Sequence, residues 1–261
     1  MKTPIGGQFQ VASVADNYRT YLEPVLFSPW AHRLVAYAGV RPGDIVVDVA
    51  AGTGAVARVA ARAGGEVTAT DVSAHMLEHV PAGIRTLVCP ATALDLADES
   101  VDVVLCQQGL QFMLDPLSAL REALRVLRPG GVIAVSVWAT DERLDPFDAF
   151  AEALQRDAVA AGSGRTISNA PVATTVHGIV DQLIVAGAAE VRATRQELAV
   201  RWPTVDSEIA ALFGTPFGPF LDSLPGGRRE GVLADVRQQL DRDGHTATHL
   251  TTSVLGRGVK R

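Results

Sequence analysis

Two carboxylates and two glycines near the start of this chain have the types and spacing to do chemistry. Asp48 stands inside the apolar run Val46-Val47-Asp48-Val49, which breaks into Ala50-Ala51-Gly52-Thr53-Gly54. A helix-forming stretch, residues 55–62, follows at once, and a second acid closes the run Glu66-Val67-Thr68-Ala69-Thr70-Asp71. A buried parallel strand, a tight turn and a helix N-terminus together make a construction that binds nucleotide-like ligands. Gly52 and Gly54 admit backbone conformations and a close ligand approach that a Cβ would obstruct. Asp71 lies about 20 residues beyond the turn, where a neighbouring strand would offer an acceptor to the hydroxyls of a sugar.

Two ligands compete for such a loop. Gly52-Thr53-Gly54-Ala55-Val56-Ala57 satisfies G-x-G-x-x-A, the dinucleotide pattern of an NAD(P)-dependent oxidoreductase. The other is S-adenosylmethionine, which has no pyrophosphate. There the loop holds the amino acid end of the ligand, and Asp48 orients the ammonium directly or through water. An acid aimed at a pyrophosphate would repel it, so Asp48 favours the second ligand.

Elements that alternate between strand and helix must position these groups. Strand patterns at residues 67–71, 84–89, 101–107 and 131–138 are interleaved with helix patterns at 73–80 and 116–127, with Ser73 as a helix cap. Such alternation with short connections predicts a doubly wound parallel sheet with helices on both faces. The Pro129-Gly130-Gly131 turn is expected to stop one helix and launch the next strand. Residues 10–40 predict two helices divided near Pro24 and Pro29. Later come helices over 147–160, 176–186, 206–224 and 229–240, a Gly/Ser-rich loop at 162–168, and strands over 191–202 and 246–255. The last two strands are expected to pair antiparallel at the sheet edge.

Composition narrows the class. The 261 residues are 48% hydrophobic and 20% charged, enough for one domain with a proper core. The expected layout is a single unit over 1–261: N-terminal lid helices over 1–42, a cofactor-binding core over 43–139, and lid helices with the terminal strand pair over 140–261. No apolar stretch predicts a membrane span, and the first residues carry no apolar signal core, so a cytoplasmic enzyme is expected. Cys89 and Cys106 read as free thiols in buried strands, without metal-ligand spacing. A net charge of -6, with only a short basic tail over 257–261, disfavours nucleic acid as a partner. A monomer or homodimer is expected.

Four segments together resemble class I S-adenosylmethionine-dependent methyltransferases, in the branch similar to ubiquinone/menaquinone-biosynthesis and natural-product tailoring enzymes (methyltransferase type 11). They are Val47 through Gly54; Thr70-Asp71-Val72-Ser73; Asp102-Val103-Val104-Leu105-Cys106-Gln107-Gln108; and Leu124-Arg125-Val126-Leu127-Arg128-Pro129-Gly130-Gly131. The resemblance implies a Rossmann-like seven-stranded, mostly parallel sheet with a reversed terminal strand pair and a C-terminal helical lid. It implies S-adenosyl-L-methionine as cofactor and S-adenosyl-L-homocysteine as product. By position, Asp48, Ala50, Gly52 and Gly54 would hold the methionine moiety and Asp71 the ribose. Val72 and Met76 would pack on the adenine, Ala91 and Thr92 would recognise its edge, and Gln107 would lie beside the sulfonium. One departure is Pro90, where the family often places an acid that accepts from the adenine amine. Asp95 or a backbone carbonyl would have to replace it.

The reaction implied is in-line displacement of a methyl group by a small, aromatic or partly apolar metabolite. A binding or cyclising protein of the same fold is the alternative, and an oxidoreductase a lesser one. Tyr18, Tyr21, Trp30, Gln108, Phe112, Trp138 and Phe217 are candidates to line the acceptor pocket. No residue is marked as catalytic by spacing; His32 and His245 are the histidines placed best to face the acceptor. No metal site is expected, since His75 and His79, at i and i+4, lack a third ligand.

Overall fold

A computed structural model describes residues 9–139, 142, 144–160, 174–242 and 248–261. His245 and the 162–168 loop lie outside them. Seven strands form one sheet in the order β3-β2-β1-β4-β5-β7-β6. They are β1 (Ile45–Val49), β2 (Glu66–Asp71), β3 (Arg85–Val88), β4 (Val101–Gln107), β5 (Leu127–Trp138), β6 (Ala189–Arg201) and β7 (Thr248–Val259). The first five pair in parallel; β7 runs antiparallel to both β5 and β6. The reversed pair expected from the sequence is therefore present, with β6 at the edge.

Successive strand residues point to opposite faces, and this alternation builds two cores. On one face Val46, Val103, Leu105 and Ala134 pack against Leu34 and Val35 of α2 (Ser28–Ala38) and Val56 and Val59 of α3 (Ala55–Arg62). On the other, Val47, Val49, Val104 and Val135 meet Leu120 and Leu124 of α5 (Pro116–Val126) and Ile179 and Leu183 of α7 (Val176–Ala186). A third core is purely helical. It joins Phe150 of α6 (Phe147–Ala160), Ile209 of α8 (Val205–Ala211), Leu221 of α9 (Phe217–Ser223) and Val236 of α10 (Gly226–Arg242).

Several boundaries differ from the sequence reading, each for a physical reason. The N-terminal helices do not divide at Pro24. Instead α1 (Ala12–Asn17) continues through a π-helix, Tyr18–Phe27, into α2, and Pro24 sits inside the wider turn. Proline in an α-helix clashes with the carbonyl four residues back, and a π turn opens that contact. The helix expected over 73–80 shrinks to α4 (Ala74–Leu77), still capped by Ser73 Oγ, which accepts from Met76 N at 3.2 Å. The Pro129-Gly130-Gly131 segment does not precede its strand but lies within β5, where the register with β4 shifts. The final strand runs past residue 255 to Val259, so Arg257 of the supposed basic tail is part of the sheet, and just beyond it Lys260 N donates to Gly131 O at 2.9 Å. The 206–224 helix is two short helices, α8 and α9, joined by a 3-10 turn at Leu212–Gly214.

Gly214 shows why that turn is tight. A Cβ there would stand 2.6 Å from the Tyr18 backbone N, so the turn meets the π-helix backbone to backbone.

Candidate functional site

The carboxyl ends of β1 and β4 adjoin where the strand order reverses, the usual position of a ligand in an open parallel sheet. Asp48 ends β1 almost wholly buried, and its Oδ2 accepts from Ala57 N in the first turn of α3 at 2.9 Å. This carboxylate thus ties the helix N-terminus to the strand. Burial drives its pKa up to about 8 against the opposing pull of the Ala57 bond. The loop between is held by left-handed backbone at Ala50 (φ 54°), Gly52 (φ 53°) and Gly54 (φ 83°). At Gly54 a Cβ would also stand 2.9 Å from Val80 Cγ2.

Asp71, at the end of β2, clamps the loop from the side. Its Oδ2 accepts from Gly52 N and its Oδ1 from Ser73 N, both at 2.9 Å. Burial raises its pKa, and the backbone N–H groups of Ser73, Gly52 and Val72 pull it down. Beside it Val72 is 42% exposed, an apolar side chain presented at the surface. Met76 is buried beneath, packed with Val14 and Ala15. Ala91 is half-buried and Thr92 exposed after β3. Asp95, the conceivable substitute for the acid missing at Pro90, is exposed.

The π-helix lies across this loop. The Tyr18 ring comes within 3.8 Å of where a Gly52 Cβ would be, and stacks on Phe27 at 4.8 Å between centroids. Burial, then the charges of Glu23 and Asp71, hold the Tyr18 hydroxyl well above its ordinary pKa, so it remains a donor. Glu23, 2% exposed, accepts from the Thr53 hydroxyl, pairs with Arg58 of α3, and meets Arg19 at 3.0 Å. Glu23, Thr53 and Arg58 escaped the sequence reading. Their only sequence signal was Arg19 and Glu23 at i and i+4, a spacing that reads as a solvated pair.

Of the candidates for the acceptor pocket, the structure gathers Tyr18, Trp30, Trp138 and Gln108 and adds Phe27 and Gln107. Trp138 lies 6.1 Å from Phe27 and 6.0 Å from Trp30, ring to ring. Trp30 is buried and donates Nε1 to Thr251 Oγ1 at 2.9 Å, which anchors it as core. Gln107 Nε2 donates to Phe27 O and Gln108 Nε2 to Ser253 Oγ, both at 3.0 Å. Tyr21 packs in the same cluster as Tyr18, Phe27 and Trp138, around Leu22 and Trp202. Two other candidates stand apart. Phe217 packs on Phe150 at 5.1 Å in the helical core. Phe112 meets Phe9 at 5.4 Å, and Phe9 O accepts from Ser73 Oγ, which places that pair at the β2 end. His32 is exposed, off the buried face of α2 that carries Trp30, Ala31, Leu34 and Val35, so it does not face the acceptor side.

Cys106 and Cys89 are free and buried, and burial pushes the Cys106 thiol up to about 12. No group of three metal-ligating side chains occurs among the described residues. Nor, among them, is any helix long and apolar enough to cross a membrane.

Residues 47–135 match the methyltransferase-domain family. An uncharacterized protein of Mycobacterium tuberculosis is 36% identical over 132 residues, 48% of each chain. The ubiquinone/menaquinone biosynthesis C-methyltransferase UbiE of Burkholderia mallei is 38% identical over 136 residues, 47% of this chain and 56% of that one. The chain thus matches about half the length of its curated relatives. The methyltransferase fold extends further. An Anabaena variabilis protein described as a candidate methyltransferase from an antibiotic biosynthesis pathway superposes with a TM-score of 0.64 at 17% identity, over 87% of this chain and 96% of that one. Phosphoethanolamine N-methyltransferase 2 of Haemonchus contortus, in complex with S-adenosyl-L-methionine, gives 0.59 at 15% identity, over 96% and 58%.

Proposed function

We propose that this chain transfers a methyl group from S-adenosylmethionine to a small, partly apolar acceptor. The observation that carries this reading is the Asp71 clamp, a carboxylate at the end of β2 bonded to the glycine loop at Gly52 and to Ser73. Each carboxylate oxygen accepts one backbone N–H and keeps a further lone pair, so a vicinal diol fits on the same group. Val72 offers an apolar face to an adenine beside it. The loop at Ala50, Gly52 and Gly54 leaves no side chain beyond a methyl in the way of the amino acid end, with Asp48 behind it. The Asp48 pKa of about 8 reflects its burial, which the Ala57 bond and the charge of Arg58 oppose, and an ammonium group beside it would pull it down further.

The bound cofactor supplies an electrophilic methyl group, so no strong base is needed when the acceptor is acidic. This chain's residues bind, align and exclude water. Alignment of two reactants contributes about 7–11 kcal/mol towards such a step. The π-helix brings Tyr18 and Phe27 over the site as its lid, with Trp138 from β5 beside them and Trp30 buried behind. The net charge of -6 and the aromatic surroundings favour a small cytoplasmic metabolite over nucleic acid.

Calorimetry with S-adenosylhomocysteine is the first test, followed by incubation with methyl-labelled S-adenosylmethionine and candidate acceptors. Saturable binding and transfer of label are expected. Absence of binding rejects the reading, and binding without any transfer favours the non-methylating alternative.

A further inference from the structure

The amides of Gln107 and Gln108 carry one more step, which rests on the methyl-transfer reading and names what its acceptor must present. The two residues stand at the carboxyl end of β4, 9% and 2% exposed. Along β4, Val103 and Leu105 face the α2–α3 core while Val104 and Cys106 face the opposite one. Gln107 continues on the α2 side, where its Nε2 donates to Phe27 O. Regular alternation would turn Gln108 to the other side. Its φ of 55° breaks that alternation, and its amide reaches Ser253. Ser253 is the register partner of Trp138, whose ring meets Phe27 and Trp30. The left-handed residue therefore brings two consecutive amides to one side of the sheet. A non-glycine residue in this conformation is strained, and such outliers concentrate at functional sites.

Hydrogen-bond bookkeeping fixes which way each amide points. The Phe27 carbonyl can only accept, so Gln107 must offer it nitrogen. Ser253 Oγ donates its hydrogen to Val137 O at 2.8 Å, so it too can only accept, and Gln108 must offer nitrogen. Both Oε1 atoms are left buried without a hydrogen-bond partner, as is Ser136 Oγ, on the residue paired with Gln107. Leaving a buried acceptor unpaired is costly, and here two occur in succession at a strained turn.

We propose that these two carbonyls select the methyl acceptor: a neutral molecule presenting two O–H or N–H donors from a flat ring lodged against Phe27 and Trp138. Carbonyl oxygens repel carboxylate and phosphate. An ether-capped analogue would bury both carbonyls unpaired, and sites built to bond a substrate hydroxyl reject such analogues strongly.

The test uses protein saturated with S-adenosylhomocysteine and three probes: catechol, 1,2-dimethoxybenzene and benzoate, followed by ligand-observed NMR and tryptophan fluorescence. Catechol is expected to bind at least tenfold more tightly than its dimethyl ether, with no binding of benzoate. Gln108→Leu should shrink that contrast to under threefold while leaving S-adenosylhomocysteine affinity in place. Should the leucine variant fail to fold, the contrast in the unsubstituted protein decides alone. Equal binding of catechol and its ether, preference for benzoate, no binding of any probe, or an unchanged contrast in the folded variant overturns the proposal. Failure of S-adenosylhomocysteine itself to bind rejects the methyltransferase reading instead.

Discussion

The two ends of the cleft are built from different materials. At the β1–β2 end the polar groups are closed by backbone: Asp48 accepts from Ala57 N, and Asp71 from Gly52 N and Ser73 N. These partners lie within about one strand–helix–strand unit, whose connections are short. At the β4–β7 end the groups are side chains from distant segments, Phe27, Gln107, Gln108, Trp138 and Ser253, and the side-chain carbonyls of Gln107 and Gln108 are unpaired. A backbone-built end has little freedom to vary with sequence, whereas a side-chain-built end can change its ligand by substitution. The first suits a cofactor common to many relatives, and the second an acceptor that differs among them.

Glu23 links the two ends, and its removal should have the largest effect. Glu23→Ala leaves Arg58, 16% exposed, without its partner and frees the π-helix from the loop. A loss of about 3 kcal/mol in denaturant unfolding is expected. A loss below about 1 kcal/mol would mean that the aromatic packing alone seats the helix.

Asp71→Ala comes next. It should weaken S-adenosylhomocysteine binding at least tenfold, equivalent to about 1.4 kcal/mol, while the chain remains folded. Unchanged affinity in calorimetry would remove the ribose role and leave Asp71 as a loop clamp only.

Asp48 gives a pH-dependent signature. Its carboxyl ionises near 3.8 in an unfolded chain and near 8 when folded, so between those values the folded chain holds the extra proton. Stability from this group is full below about pH 4, falls as the pH rises, and levels off above about pH 8. Asp48→Asn should flatten that slope in thermal melts recorded from pH 5 to pH 9. Parallel curves for the two proteins would show that the acid is charged throughout.

The smallest effect belongs to His32→Ala, on the outer face of α2. Stability should stay within about 0.5 kcal/mol, and methyl transfer should be unchanged. A large loss of transfer at constant cofactor affinity would bring His32 back to the acceptor end.

The glycine turn, the two acids and the strand pattern were legible because a buried parallel strand and its following turn write their requirements into contiguous residues. Strand β4 was placed at 101–107 for that reason, as were the reversed last strands. Where local signals compete with long-range pairing, the reading missed. The Pro129-Gly130-Gly131 turn signal gave way to pairing of β5 with β4 and β7, and Arg257 of the expected basic tail joined β7 opposite Ala134 and Arg192. Aromatic residues were harder still. Trp30, Trp138 and Phe217 carry the same composition signal, yet only contacts separate the first two from the third.

Sequence alone determined the sheet's class, the glycine loop and the placement of Asp48 and Asp71, because each follows from periodicity and from backbone needs of neighbouring residues. Only the tertiary structure decided that Glu23 locks the π-helix to Thr53 and Arg58, and that Gln108 turns to join Gln107. Those contacts bridge residues 30 and 145 positions apart, and no local pattern records which buried side chains will meet across the sheet.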